Sequence, residues 1–288
     1  MILITGANGQ TGRAIMKALI NKGEEVRAFV RKAEQVNDLK ALGVNEVMIG
    51  DMLNQEDVNR AYTGVSAVYH ICSVFNPNEV EIGEIAINAA KFAKVQHFVF
   101  HSVLHSILHD MPHHQKKHVV EEMLVNSEIP YTIIQPSAFM QNTLESWNVL
   151  REEGIFRQKL FTSPDTRMCF IDLEDLAAAV ANILINKEHI GATYELCGPD
   201  NMSLSDMKTI LEKQFGREII VETPPDEIMA AGLKKSGLGE YYINSLLSMF
   251  HHYNKQGFIG NSNTLTWILG RKPNDYASFI QRTLLSEK

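Results

Sequence analysis

Cysteine is scarce: Cys72, Cys169 and Cys197 are the only three in 288 residues, and they stand far apart. An odd, scattered set excludes a disulfide scaffold and lacks the paired spacing of a zinc ribbon or redox dithiol. Core filling is the expected role of all three. Long apolar runs are also missing, so no segment is expected to cross a bilayer. Excess positive charge is absent too: the formal net charge is −7, which repels nucleic acid and anionic lipid over most of the surface. The first strand is expected at Met1 or Ile2, which leaves no room for a basic-then-apolar leader. A reducing, cytoplasmic setting fits all of this. There is no Ser/Gly/Pro linker, internal repeat or low-complexity tract.

What the chain does have is an alternation. Short, β-branched, mostly apolar runs at 1–5, 25–30, 46–50, 66–71, 97–102 and 131–135 are expected strands. Helical patterns lie between them at about 10–22, 33–42, 55–63, 79–94 and 113–126. Gly23, Gly43 and Gly64 each follow such a helix, where a left-handed cap is wanted. This rhythm predicts an α/β fold with a doubly wound parallel sheet. After Pro136 the rhythm changes. "NTLESWNVLREEGIF" predicts a helix ending near Gly154, and "FIDLEDLAAAVANILI" a second long one. A strand through Tyr194–Cys197 and a helix after Ser203 follow, then mainly helix over 222–286 with a loop around "NKQGFIGNSN". The expected division is a core over 1–136 and a smaller α/β lobe over 137–288, with 166–186 returning to the core. The lobe is expected to dock on the core and leave a cleft for a small molecule.

The opening "MILITGANGQTGRAI" places three glycines between a strand and an amphipathic helix. Gly6 lets the chain turn tightly, Gly9 lets backbone approach a diphosphate, and Gly12 lets the helix pack close to the sheet. Asn8, Gln10 and Thr11 fill the same turn. The helix from Gln10 presents free N–H groups and its positive end to an anion. In that context the turn is the signature of a dinucleotide site. At the end of the second strand, where an NAD site usually carries an acid, stand Arg31 and Lys32. A guanidinium fork with a supporting ammonium suits a 2′-phosphate, so NADP(H) is expected over NAD(H). Asp51, after the third strand, either accepts from the adenine amino group or caps the next helix.

Together, "ITGANGQTG", "VRAFVRK", "GDMLNQEDVNRAYTGVSAVYHI", "HVVEEMLVNSEIPYTIIQPSAFMQN", "GATYELCGPDNMSLSDM" and "NTLTWILGRKP" resemble the NmrA-like branch of the atypical short-chain dehydrogenases/reductases. The resemblance is strongest to the branch's bacterial NAD(P)H:quinone oxidoreductases. It covers nearly the whole chain, and is far more specific for fold and nucleotide site than for substrate. It implies a Rossmann core, a small α/β lobe, and a nicotinamide near the ends of the fourth and fifth strands.

Many relatives in the wider superfamily carry Tyr-x-x-x-Lys after the fifth strand, with a serine upstream. This chain departs from that pattern: the nearest match is His113-x-x-x-Lys117, with Ser102 at the strand end. Helical spacing puts His113 and Lys117 on one face. His113 is then a candidate proton donor and Lys117 a candidate contact to the nicotinamide ribose. Glu121, one turn on, is the expected ion-pair partner of Lys117. His70 and Ser73 are expected to face the middle of the cofactor. Phe139 and Asn142, after the sixth strand, are candidate substrate contacts, Phe139 either stacking on a flat ring or belonging to the core. Trp147 and Tyr194 read as core. Seven of the eleven histidines lie between His97 and His118, but Pro112 interrupts any helical ladder and no ligand set is completed. A polar active-site loop is expected there, and no metal.

Without the tyrosine, sugar-nucleotide epimerisation and alcohol oxidation, which need a placed base, are disfavoured. Hydride transfer to a quinone or related electrophilic carbonyl asks mainly for orientation and exclusion of water. The competing expectation is a non-catalytic NADP(H) sensor acting on a protein partner, which a lost tyrosine also fits. A homodimer is compatible with the sequence.

Overall fold

A computed structural model describes residues 1–158 and 164–286. Its first half is a run of short strands separated by helices: β1 (Ile2–Ile4), α1 (Gln10–Asn21), β2 (Val26–Val30), α2 (Val36–Ala41), β3 (Glu46–Ile49), α3 (Gln55–Tyr62), β4 (Ala67–His70), α4 (Glu79–Ala93), β5 (His97–His101), α5 (Pro112–Val125) and β6 (Tyr131–Pro136), of which only the edge strand β3 is not buried. The expected strands and helices of this half lie within a residue or two of these bounds, except that the helix expected over 33–42 opens as a 3-10 turn over Ala33–Gln35 before α2 begins. Gly23, Gly43 and Gly64 turn the chain out of their helices with φ of +81°, +92° and +78°. Lys94, which follows α4, adopts φ of +53° without being glycine.

Further elements follow: β7 (Ala138–Phe139), α6 (Trp147–Glu153), β8 (Ile155–Arg157), β9 (Met168–Ile171), α7 (Leu173–Ile185), β10 (Ala192–Leu196), β11 (Asn201–Met202), α8 (Leu204–Phe215), β12 (Ile220–Glu222), α9 (Asp226–Lys235), α10 (Glu240–Gln256), α11 (Asn263–Leu269) and α12 (Tyr276–Leu285). Here three expectations are corrected. The long helix read over "FIDLEDLAAAVANILI" starts only at Leu173, because Asp172 turns its carboxylate onto the Glu174 N–H and ends the fully buried strand β9. A four-residue apolar run does not distinguish strand from helix. The "NTLESW" stretch is a 3-10 turn over Met140–Ser146 before α6 begins. The loop at "NKQGFIGNSN" is shorter than expected, since α10 continues to Gln256.

Contacts divide the chain into two units. The first comprises Met1–Leu108, His113–Pro136 and Leu176–Glu195. Its sheet has the order β10-β6-β5-β4-β1-β2-β3, with β1, β2, β3, β4, β5 and β6 paired in parallel. The chain runs outward from β1 through β2 and β3, then restarts at β4 on the other side of β1. This reversal opens a crevice at the carboxyl ends of β1 and β4, where ligands of such sheets bind. One face of the sheet is covered by a core of Leu3, Phe29, Tyr62, Val68, Phe98, Phe100, Val120 and Leu124, among others. Each such side chain contributes roughly 1.5–3 kcal/mol by leaving water. In that core α4 and α5 nearly touch: a Cβ on Gly83 would stand 2.7 Å from both methyls of Val120.

The second unit comprises His109–Pro112, Ser137–Asp175 and the chain from Leu196 on. It holds a three-stranded sheet, β11-β9-β7, and the parallel pair β12-β8. All three cysteines are buried. Burial among apolar groups beside the Glu79 carboxylate pushes the Cys72 thiol up to about 12, so it stays protonated and inert.

Candidate active site

The glycine turn has the three-part logic the sequence suggested, and the geometry separates the parts. Gly6 has φ of +55°, and a Cβ there would lie 2.8 Å from Ile71 Cγ2 and 2.9 Å from the Ile71 carbonyl oxygen. Gly12 is packed more tightly: a Cβ would meet Gly6 O at 2.6 Å and Ala7 Cα at 2.8 Å. Gly9 differs from both. Its φ is −71°, which any residue adopts, and a Cβ would find only Gly6 O, at 3.4 Å. Nothing within the fold demands glycine at this position. Gly9 is also the N-cap of α1, with no side chain capping the first turn, so the N–H groups above Gln10 and Thr11 are open to a ligand. Arg13 braces the turn by donating to the Asn8 carbonyl (3.1 Å) and to Asn8 Oδ1 (2.6 Å). Thr5 ties the ends of β1 and β4, donating to Ile71 O (3.0 Å) and accepting from Ile71 N–H (2.9 Å).

At the ends of β2 and β3, Arg31 and Lys32 are exposed, with Lys32 Nζ 3.3 Å from Glu34. Asp51 is exposed as well, and its carboxylate accepts from Leu53 N–H at 3.0 Å. The capping alternative for Asp51 is overturned: Asn54 caps α3, accepting from the N–H groups of Glu56 and Asp57. Beyond β4, Ser73 is exposed and accepts from the Asn76 amide. His70 is the last residue of β4, buried and stacked against Phe98 and Phe100. Burial and the nearby Lys117 ammonium depress its imidazole to about 3, so the ring is neutral.

The β5–α5 segment departs most from expectation. Lys117 does not pair with Glu121. Its ammonium sits 2.6 Å from Glu79, the first residue of α4, and donates to the His101 carbonyl at 2.8 Å, with the Phe100 ring below it. Both members of the pair are buried. Lys117 therefore ties the start of α4 to the end of β5. His113 packs edge-on against Phe75, with 4.9 Å between ring centroids. Burial and the Lys117 charge hold its imidazole well below the ordinary histidine range. At neutral pH the ring is uncharged. On the opposite sheet face the Tyr69 hydroxyl meets His101 Nδ1.

Ser102, at the end of β5, donates its hydroxyl to Glu121 Oε1. Glu121 also accepts from Gln135 Nε2 at 2.9 Å and from the Ser106 hydroxyl at 2.8 Å. Ser102, Ser106, Gln135 and Glu121 are all buried. The structure thus splits the expected serine–histidine–lysine set into two clusters, Lys117 with Glu79 and Ser102 with Glu121. Sequence reading missed Glu79 because an acidic first residue is ordinary helix chemistry. It misassigned Glu121 because i, i+4 spacing says nothing of partners on other elements. Among the described residues no group of three or more His, Cys, Asp or Glu side chains gathers as metal ligands.

In the second unit Phe139 lies on β7, half-buried and in register with Ile171 of β9, while Asn142 is exposed on the 3-10 turn. Between them Gln141 donates to Asp172 Oδ1 (2.9 Å) and accepts from Leu173 N–H (3.1 Å). Asp172 also receives Asn274 (2.9 Å) and Arg282 (2.5 Å), and Asp175 receives Arg271 at 2.6 Å. These donors hold the Asp172 carboxyl below its usual range despite its burial. Trp147 is buried as expected, but Tyr194 is only half-buried, its hydroxyl 3.1 Å from His189 Nδ1. A cavity of about 560 Å3 lies at the opposite, amino-terminal edge of β5 and β6. Lys91, Lys94 and Lys187 line it, where they offset the negative ends of helices.

Comparison with known proteins agrees with this architecture. The chain is 28% identical to quinone oxidoreductase 2 of Escherichia coli, over 97% of each chain. It is 26% identical to an NAD(P)H azoreductase of Xenophilus azovorans, over 98% of this chain and 97% of that one. The solved structure of an NADPH-dependent quinone oxidoreductase from Escherichia coli, complexed with NADPH, superposes with a TM-score of 0.82. It is 26% identical and covers 99% of this chain and 100% of its own. The model of the NmrA-like family matches residues 1–279, and the protein belongs to that family.

Proposed function

We propose that the protein is an NAD(P)H-dependent reductase that moves hydride from NADPH to a quinone or a related electrophilic carbonyl compound. The observation that carries this reading is Gly9, a bare position that the fold leaves open above an uncapped helix end. A ligand bringing a pyrophosphate against the main chain gives that bareness its reason. Gly6, Gly9 and Gly12, with Asn8, Gln10 and Thr11, hold the diphosphate. Arg31 and Lys32 take the 2′-phosphate and set the preference for NADP(H), with Asp51 toward the adenine. The reactions named for the two curated relatives, reduction of quinones and of azo compounds, support a flat, electron-poor acceptor.

When bound, the cofactor supplies hydride. The chain's own task is to bind, orient and keep water out. Phe139 offers a flat surface to an aromatic acceptor and Asn142 a hydrogen-bonding amide. The depressed imidazoles of His70 and His113 are weak bases, and Lys117 is engaged with Glu79. No strong base is thereby assembled for epimerisation or alcohol oxidation. The test is to follow reduced-nicotinamide absorbance while protein and NADPH meet a panel of benzoquinones and naphthoquinones. Turnover with at least one supports the proposal. NADPH binding with no turnover on any of them would instead mark a sensor.

A further inference from the structure

The cavity at the amino-terminal edge of β5 and β6, about 560 Å3 in volume, has the size of a small-molecule site. Lys91 and Lys94 reach it from the end of α4, and Lys187 from the turn after α7. Among the described residues none of these ammonium groups forms an ion pair or a hydrogen bond, and Glu128, also on the lining, is paired with none of them. Three ammoniums against one carboxylate make a local positive surplus in a chain of net charge −7. Two lysines close α4, although a helix end holds only about half a negative charge. Lys94 is also kept at a cost. It is the C-cap of α4, with φ of +53°, where a side chain crowds the backbone. Glycine fills the same place after α6, α8 and α11. Glu128, with φ of +64°, is strained in the same way and lines the same cavity. Side chains held at two such positions around one hollow mark a use for those side chains. Much of the remaining lining is apolar: Val95 and Ile129 are buried, and Ile190 is exposed.

We infer that this cavity is a second ligand site, and that it binds a soluble organic phosphate monoester. Such a group carries nearly two negative charges above neutral pH and presents three strong acceptor oxygens, enough to answer three ammoniums and leave Glu128 balanced. Lysine binds phosphate as a point charge, so no planar fork is needed. The alkyl or aryl substituent of the ester covers the apolar lining, which an inorganic ion would leave bare. A bilayer does not fit a hollow of this kind, and the negative charge of the rest of the chain repels anionic lipid. The site lies at the opposite edge of the sheet from the glycine turn, so its occupancy does not depend on the reductase reading.

The test is a calorimetric titration of the full-length protein at pH 8, with phenyl phosphate, inorganic phosphate and phenol as probes. Phenyl phosphate should bind at one site, inorganic phosphate about tenfold more weakly for want of the apolar body, and phenol not at all. Lys94→Gly should fold as well as wild type, since glycine suits a left-handed cap. It should nevertheless lose about tenfold in phenyl phosphate affinity, as should Lys187→Gln. Saturating NADPH and the Arg31→Ala substitution should leave that affinity unchanged. Wild-type affinity in both lysine variants would overturn the inference. Competition by NADPH would do the same, because the phosphate would then sit in the glycine turn. Equal affinity for phenyl and inorganic phosphate would reduce the cavity to a trap for small anions and remove the ester from it. Co-sedimentation with phosphatidic acid vesicles, abolished by Lys94→Gly, would overturn the soluble ligand in favour of a lipid headgroup.

Discussion

Two strand–loop–helix units reach the same edge of the sheet and use it in opposite ways. Between β1 and α1 the chain offers main chain: three glycines, an uncapped helix start, and one arginine as a brace. Between β5 and α5 it offers side chains, buried and tied to other elements. The first unit is fixed by steric limits within a few residues of itself. The second is fixed by partners far along the chain, such as Glu79 for Lys117 and Gln135 for Glu121. A main-chain cradle tolerates almost no substitution, whereas a side-chain cluster is open to replacement in matched pairs.

The strongest challenge to this contrast is removal of one member of the buried ion pair. Lys117→Met should lower unfolding free energy by about 3–5 kcal/mol, since Glu79 is left charged and buried. Adding Glu79→Leu should recover most of that loss, as read by urea denaturation. If the double variant is no better than the single one, the pair is not the self-contained unit described here.

Within the glycine turn the comparison sharpens. Gly12→Ala must push a Cβ against Gly6 O and Ala7 Cα, at about 1–3 kcal/mol, and should weaken both folding and NADPH binding. Gly9→Ala has room in the fold, so its melting temperature should stay within a degree or so while NADPH affinity drops about tenfold or more, a loss of some 1.4 kcal/mol. Equal melting losses in the two variants would refute the division of roles.

Acid should act through the histidines buried on β4 and β5 rather than on the main-chain cradle. His70 and His97 are held neutral, at about 3 and about 4, chiefly by burial. The unfolded chain binds their protons near 6.5, so over the interval between these values it holds more protons than the native state. Stability is therefore complete above about pH 6.5 and declines as pH falls toward 3. His70→Phe should flatten part of that decline in a series of denaturation midpoints.

The smallest expected effect is at the periphery. Arg31→Ala should weaken NADPH binding about tenfold, roughly 1.4 kcal/mol, and leave NADH binding unchanged in parallel fluorescence titrations. Equal loss for both cofactors would remove the 2′-phosphate assignment.

These differences also explain what could be read from residues alone. The positions of the strands and helices of the first half and the glycine turn follow from period and the missing Cβ, all local properties of "MILITGANGQTG" and the runs after it. The pairing of Lys117 was misread because Glu121 is its neighbour on the helix, whereas Glu79 arrives only once α4 and α5 are packed side by side. His113 looked like a titrating group because sequence carries no measure of burial. Gln141 gave no signal, since its importance lies in Asp172, 31 positions away.

The near-contact of Gly83 with Val120 has a consequence for engineering. Gly83 follows Glu79 by one helical turn, and Val120 sits directly before Glu121, so a single absent methyl group sets the gauge between the rails that carry both carboxylates. Alanine at 83 would widen that gauge and disturb the ammonium clasp and the hydroxyl network together, from a position that touches neither.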